Sequence, residues 1–556
     1  YAPVRWLGSL EWRRGFFEWA RSDGVTWVYI FKVLFAAFLT LWLAMRLELP
    51  QPRTAMITVF IVMQRQNGQV LAKSFYRFLG TLTGSAVMVA LIALFAQDTE
   101  LFLVSLAIWV GICSAGAARN RNFRAYGFVL AGYTAAMVGL PALAHPDGAF
   151  MAAMWRVLEI SLGILCSTLV SVAILPQTAS AAMRNALYLR FGVFAGFVAH
   201  GLRVGNESGA FEAGNVRFIA EAIGLEGLRS VTVFEDPHMR RRNGRLNRLN
   251  SEFMAITTRF NALHQLLERL RSREAVQVIS AIEPGLMALA DLLEAFSGRP
   301  LTDADAARLA ERLAAFKEGL PERVRSLRAA LVETQPADAD LLDFHTAYEL
   351  LYRFVDDMHG YAQTHASLAD HNHVREQWDE PFTSQTNWMA ALAAGVRASF
   401  VLLVLGSYWV ATAWPSGSIM TLVAAATIGL SASSANPKRM AFQMACGTFL
   451  GAILGFIEMF FVYPFIDGFP LLCLVLAPVL VLGSFLSSRP QLAGYGLGLL
   501  IFFSTGSVPD NLTIYNPYGF INDYIGMVLG MLVCAAAGAI ILPPNSRWMW
   551  SRLEQD

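Results

Sequence analysis

Two long stretches of the chain, from about Trp27 to Pro176 and from about Trp388 to Pro543, are dominated by Leu, Ala, Val, Gly and Phe, while Ala179 to Gln385 between them carries most of the Arg, Glu and Asp. A helix needs roughly 20 apolar residues to cross the hydrocarbon core of a bilayer. By that measure the first stretch holds six spans, at about 26 to 47, 53 to 68, 74 to 96, 100 to 118, 123 to 143 and 150 to 175. The second holds six more, at about 388 to 411, 417 to 434, 440 to 462, 469 to 487, 491 to 507 and 520 to 542. The middle stretch has the periodicity of soluble helices instead. Leu246, Leu249, Phe253, Ile256, Phe260, Leu263, Leu267 and Leu270 recur at three-four spacing and form an apolar stripe. Thr302 with Asp303 and Asp305 is expected to cap a further helix and Pro321 to open another, with strand-like alternation only near Val231 to Phe234.

The expected fold is therefore an all-α membrane protein: an N-terminal interfacial segment (1 to 25), a first six-span repeat (26 to 176), a helical domain (177 to 386), a second six-span repeat (387 to 544) and a short tail (545 to 556). The stretch Trp12 to Arg21, aromatic and basic, suits a helix lying on the membrane surface. The halves match at landmarks. Lys32 and Pro50 correspond to Arg397 and Pro415, Gly80, Thr81 and Gly84 to Gly447, Thr448 and Gly451, Arg121, Tyr126 and Gly127 to Arg489, Tyr495 and Gly496, and Leu175-Pro176 to Leu542-Pro543. An even number of spans per half makes the copies parallel, related by an axis along the membrane normal.

Basic loops stay cytoplasmic. Arg13, Arg14 and Arg21, then Arg65, Lys73 and Arg77, then Arg119, Arg121 and Arg124, then Arg184 and Arg190 mark the inner loops of the first half. Lys438, Arg439, Arg489, Arg547 and Arg552 do so for the second, whereas Asp98, Glu100, His145 to Asp147, Asp467 and Asp510 fall on the other side. Both termini and the central domain are thus expected in the cytoplasm.

Composition narrows the function. The chain of 556 residues is 55% hydrophobic and 15% charged with a net charge of +1, which excludes the basic stripe that nucleic acid requires. The five cysteines all lie in apolar runs, spaced unlike a disulfide framework or a zinc site, and read as packing residues. No Gly-x-x-x-x-Gly-Lys-Ser/Thr phosphate loop is present, so ATP drives nothing here and no cofactor is implied; a secondary transporter or a gated channel remains. His365, Asp370, His371 and His373 do not have the spacing of a helix-borne metal site, and Arg240 to Arg242 read as a solvated face.

Candidate chemistry lies within the spans. The second is apolar only from Ala55 to Met63 before it meets Gln64-Arg65-Gln66-Asn67, so that polar group is expected near mid-membrane, sheltered by a water-filled cavity. Arg65 offers a planar fork to a carboxylate, with Gln64, Gln66 and Asn67 as neutral donors. Lys32 and Arg397 occupy equivalent places and could draw anions toward the axis, with Arg124 at the inner mouth. Tyr126 and Tyr133, seven apart, share a helix face suited to stacking on an aromatic solute. For coupling to protons, Glu159 and Glu458, with Asp523 behind them, are the candidate buried carboxyls; an Arg156 to Asp523 bridge between the halves is the structural alternative.

Three segments in order, Thr58-Val-Phe-Ile-Val-Met-Gln64, Leu71-Ala-Lys-Ser-Phe-Tyr-Arg-Phe-Leu-Gly-Thr-Leu-Thr-Gly84 and Asn122-Phe-Arg-Ala-Tyr-Gly-Phe-Val-Leu-Ala-Gly-Tyr-Thr134, resemble the fusaric acid resistance family, which includes the aromatic acid exporters. Leu228-Arg-Ser-Val-Thr-Val-Phe-Glu-Asp-Pro237 is similar to the soluble domain of that family. The resemblance implies export of aromatic carboxylates across the bacterial inner membrane by proton-motive force. It also implies a periplasmic adaptor, an outer-membrane channel and compatibility with a homo-oligomer. The second half departs from the first where Ser431 to Asn436 replaces Gln64 to Asn67, so the two halves are not expected to contribute equally.

Overall fold

The computed structural model describes residues 4–95, 97–120, 123–143, 146–203, 208–235, 242–334, 337–369, 388–432, 434, 436–511 and 515–541. Contacts divide the chain into two compact units, Tyr1–Gln177 with Ser384–Asp556, and Thr178–Thr383. Arg121, Asn122, His145, Pro237, Arg240, Arg241, Asp370, His371, His373, Leu542, Pro543, Arg547 and Arg552, named above, lie outside the described residues.

Twelve helices build the first unit among the described residues. They are α1 (Val4–Arg46), α2 (Pro52–Val62), α3 (Asn67–Phe95), α4 (Thr99–Arg119), α5 (Phe123–Ala142) and α6 (Ala149–Ala173) in the first half. The second half has α13 (Trp388–Thr412), α14 (Gly417–Ala432), α15 (Pro437–Ile457), α16 (Phe469–Ser487), α17 (Ala493–Ser507) and α18 (Pro517–Ile540). Nine of the twelve are long and apolar enough to cross a membrane by length and composition; α2, α14 and α17 are shorter apolar helices. Large apolar side chains such as Phe31, Leu165, Phe449 and Leu474 point outward, as expected where lipid is the solvent.

Several boundaries differ from the sequence expectation. Helix α1 runs without a break from Val4, so no separate surface helix precedes the first span. Helix α2 stops at Val62 and α3 already starts at Asn67, seven residues before the expected 74, because the polar run that ends one helix begins the next. Helix α15 passes into a π-turn at Glu458–Val462.

The two halves pack by the same scheme. In each, the third helix lies on the fifth and the second on the sixth: α3 on α5, α15 on α17, α2 on α6 and α14 on α18. Contacts between the halves are reciprocal: α1 meets α16 while α13 meets α4, and α2 meets α17 while α14 meets α5. Glycine permits the closest of these approaches. A Cβ on Gly80 would stand 2.5 Å from the Gly127 carbonyl oxygen, and one on Gly447 would stand 2.3 Å from that of Tyr495. The cysteines are free, buried or half-buried in the spans.

The second unit is a bundle of α7 (Ala179–Arg203), α8 (Ser208–Glu235), α9 (Asn243–Ser272), α10 (Val276–Glu294), α11 (Asp303–Glu333) and α12 (Asp338–Ala366). The stripe from Leu246 to Leu270 is buried in its core, and Thr302 caps α11 through the Asp305 N–H. Two expectations fail. Val231 to Phe234 is helical, since α8 continues to Glu235, and Pro321 falls inside α11 instead of opening a helix. Helix α10 is apolar enough to span a membrane, yet it belongs to this unit, where Val278, Ile282, Leu289 and Leu293 are fully buried. Arg190 is buried with its guanidinium 3.9 Å from the Phe253 ring centre and bonded to Asn250 at 2.8 Å.

Candidate functional site

A hydrogen-bonded turn through Glu48 ends α1, and Pro52 opens α2 in its first turn, where its missing N–H costs nothing. From there Arg53, Thr54, Ile57 and Ile61 project from α2 into a cavity of about 270 Å³ in the first unit. Arg77 of α3, Tyr126 and Tyr133 of α5 and Arg156 of α6 complete the wall on that side. Helices α14, α15, α17 and α18 supply the opposite wall.

Arg77 sits ten residues into α3, about 15 Å from its start at 1.5 Å per residue, and is 1% exposed. Its Nη1 donates to the Tyr126 hydroxyl at 2.5 Å and its Nη2 to Thr58 Oγ1 at 3.1 Å, while Nε has no acceptor among the described residues. A polar line continues along α2. Thr58 donates to the Thr54 carbonyl at 2.9 Å, and Thr54 Oγ1 accepts Arg156 Nη1 at 2.8 Å. Thr54 also donates to Gln51 Oε1 at 3.3 Å, and the Gln51 N–H donates to Glu159 Oε1 at 2.8 Å. A second cavity, of about 400 Å³, shares Gln51, Met137, Pro141 and Arg156 with the first and is lined by Glu159 and Trp155.

Arg53 pairs with Asp510 at 3.4 Å, and Arg156 lies in the field of Glu159, one turn along α6, without a direct ion pair. Arg77 has only Tyr126 and Thr58 as hydrogen-bond partners and no carboxylate beside it among the described residues. A buried guanidinium so placed favours an anion in the cavity.

The sequence-predicted residues separate into three groups. Tyr126 and Tyr133 line the cavity together. Glu159 is 2% exposed, lines the second cavity and accepts from Gln51, which lines both. The others lie elsewhere. Gln64 to Asn67 lines neither cavity: Arg65 is exposed, 3.5 Å from Thr26 Oγ1 and from the Ser488 carbonyl, and the Asn67 N–H donates to Gln177. Ser488 and Gln177 stand just beyond helix ends, since α2 ends at Val62, before the cluster. Gln64 turns back on the Met63 carbonyl, Asn67 accepts from Ser171, and Gln66 Oε1 is buried without a partner among the described residues.

Lys32 and Arg397 line neither cavity. Lys32 Nζ donates to the Leu175 carbonyl at 2.9 Å and Arg397 Nη1 to that of Ile541 at 3.4 Å, so each holds the end of the last helix of its own half. Arg124 is exposed at the start of α5. Glu458 is buried on the π-turn, outside both cavities, with Oε2 unpartnered among the described residues. Asp523 accepts from Ser416 at 2.6 Å, and Arg156 bonds to Thr54, so the Arg156 to Asp523 bridge does not form. Arg77 and Arg156 are the residues that sequence reasoning missed as cavity residues. The available signal was register: Arg77 lies one turn before Gly80 on the face that packs against α5.

Apolar helices enclosing a cation-lined, partly aromatic cavity at the meeting of two similarly packed halves define a multi-pass membrane transport protein. The chain belongs to the Fusaric acid resistance protein family, whose family model matches residues 26–556. It is 48% identical over 347 residues to the fusaric acid resistance protein FusC of Burkholderia cepacia, which covers 62% of this chain and 99% of that relative. It is 25% identical over 549 residues to the uncharacterized transporter YdhK of Escherichia coli (strain K12), covering 97% of this chain and 76% of that one. It is 24% identical over 525 residues to the p-hydroxybenzoic acid efflux pump subunit AaeB of Yersinia pestis (strain Pestoides F), covering 91% of this chain and 74% of that one.

Proposed function

We propose that the chain exports aromatic carboxylic acids and similar small organic anions across the bacterial inner membrane, driven by protons. The observation that carries the reading is Arg77, a buried cavity guanidinium with no carboxylate beside it among the described residues, with Arg156 on the same wall next to Glu159. A substrate carboxylate supplies that charge, its ring packs by Tyr126 and Tyr133, and a volume near the lower end of the roughly 300–1,000 Å³ of ligand pockets suits a single-ring solute. Relatives named for fusaric acid resistance and for p-hydroxybenzoic acid efflux support the same substrate class. The reciprocal packing supports a duplicated, parallel pair of six-span repeats around an axis along the membrane normal. Basic loops on one side put the termini and the central unit in the cytoplasm. Arg65 and Arg124, exposed at helix ends, gather anions at the inner mouth.

Glu159 is the coupling carboxyl. It sits one turn from Arg156 on α6 and lines the second cavity, so a proton taken up there changes the charge that faces an anion held by Arg156. The name of the efflux pump subunit AaeB supports a multi-part assembly, and we assign this chain the role of pump beside a periplasmic adaptor and an outer-membrane channel. The test is purified protein in proteoliposomes. Wild type is expected to exchange 4-hydroxybenzoate and to accumulate it uphill under an imposed pH gradient, whereas Glu159→Gln retains exchange and loses accumulation. Accumulation by Glu159→Gln equal to wild type removes Glu159 from coupling. Failure of wild type to move any aromatic carboxylate overturns the reading.

A further inference from the structure

The two halves line the cavity with opposite chemistry at matched positions. Thr54 and Ile419 each follow their landmark proline by four residues, Arg77 and Met444 each precede a Gly-Thr-x-x-Gly pair by three, and Tyr133 and Phe502 each follow a helix-packing glycine by six. All six line the cavity. In each pair the first-half residue is polar and its second-half counterpart is apolar. All three arginines of the wall, Arg53, Arg77 and Arg156, come from the first half, while the second half adds only Thr505 as a polar side chain. Met444 is itself 1% exposed, in contact with neighbouring helices, so water does not reach that wall from behind.

We infer that the cavity selects monoanions by polarity from end to end: the carboxylate of a substrate faces Arg77 and Arg156, the opposite end of its ring meets Met444 and Phe502, and a second carboxylate at that end is refused. The inference rests on the exporter reading above and deepens it. The refusal has a simple cause. A carboxylate para to the first would be pressed against apolar side chains, because Arg53, the donor that reaches this wall, is already engaged by the Thr505 carbonyl and Asp510; a buried charge without free hydrogen bonds or a counter-ion is strongly disfavoured. An ester or acetyl group of the same length carries no net charge and does not meet that barrier.

Counterflow in proteoliposomes with the membrane potential clamped tests this with three solutes that share one benzoate head and differ at the para position: benzoate, monomethyl terephthalate and terephthalate. Wild type is expected to carry the first two comparably and terephthalate at least roughly 100-fold less well, about the size expected when a buried charge is left unpaired. Terephthalate carried within threefold of its monomethyl ester overturns the inference and leaves the exporter reading standing. If none of the three is carried, both fall. Met444→Arg, which places a guanidinium where the first half has Arg77, is expected to raise terephthalate transport and depress that of benzoate. A Met444→Arg protein that elutes as wild type in size-exclusion chromatography but gains no terephthalate transport also overturns it. Should Met444→Arg fail to fold, the wild-type comparison of diacid with monoester decides the question alone.

Discussion

Replacing Arg77 by Met removes the charge at the centre of the membrane unit and keeps an unbranched apolar stem. The side chain makes two hydrogen bonds, to Tyr126 at 2.5 Å and to Thr58 at 3.1 Å, and is 1% exposed, so any anion it holds is held with little water nearby. Truncating one partner of such a buried charge pair costs about 2–5 kcal/mol of binding. Taking about 3 kcal/mol, the affinity for 4-hydroxybenzoate falls roughly 150-fold at 1.4 kcal/mol per decade. Arg77→Lys keeps the charge and loses the planar fork, so a smaller loss of about tenfold is expected. Stability moves the other way. Without ligand the guanidinium lacks a carboxylate partner, and its desolvation opposes folding, so Arg77→Met should unfold at the same temperature as the unliganded wild type or above it. Saturating 4-hydroxybenzoate should raise the wild-type midpoint and leave that of Arg77→Met in place. Titration calorimetry and thermal unfolding of the detergent-purified protein measure both quantities. Binding by Arg77→Met within threefold of wild type, with ligand still raising its midpoint, refutes the assignment.

Two further predictions concern stability. Gly80→Ala gains helix propensity but drives its Cβ to 2.5 Å from the Gly127 carbonyl oxygen, and overpacking of about 1–3 kcal/mol should exceed the roughly 1 kcal/mol gained. The midpoint is expected to fall, whereas Gly224→Ala, with nothing within 4 Å of its Cβ, should raise it. In the helical unit His365 is fully buried, and burial, reinforced by Arg190, pushes its pKa down to about 4 despite Asp303 at 3.6 Å. The unfolded chain takes up that proton near pH 6.5, so this contribution is complete above pH 6.5 and is lost as pH falls toward 4, about 2 kcal/mol being gone at pH 5. His365→Phe should flatten this acid dependence of unfolding; an unchanged slope between pH 6.5 and 4.5 would show that other groups set it.

Where the sequence was informative, the signal was periodic and local. Each of the twelve apolar helices begins or ends within three residues of an expected limit, because burial in lipid demands long uninterrupted apolar runs. The glycine pairs and the Tyr126 and Tyr133 face were legible for the same reason. Depth was not. Arg77, with Arg65 and Lys73, lies around the end of the expected second span and so marks an inner loop in the sequence, whereas α3, starting at Asn67, carries Arg77 onto the cavity wall. Arg65, which looked central, stays at a helix end because the apolar part of α2 is spent before reaching it. Arg156 was read as a structural partner for Asp523, but a matched position says nothing about which way either side chain turns: one reaches Thr54 and the other Ser416.

The eleven residues of α2 reach only about 16 Å, roughly half the thickness of a hydrocarbon core, and the first cavity opens along it. Where water reaches the ends of so short an apolar barrier, the transmembrane voltage drops across it instead of spreading over the whole bilayer. A solute with one negative charge that crosses this thin septum outward from a negative cytoplasm gains about 2.3 kcal/mol per 100 mV. A cell's electrical gradient therefore helps to expel such an acid even before any proton is exchanged for it.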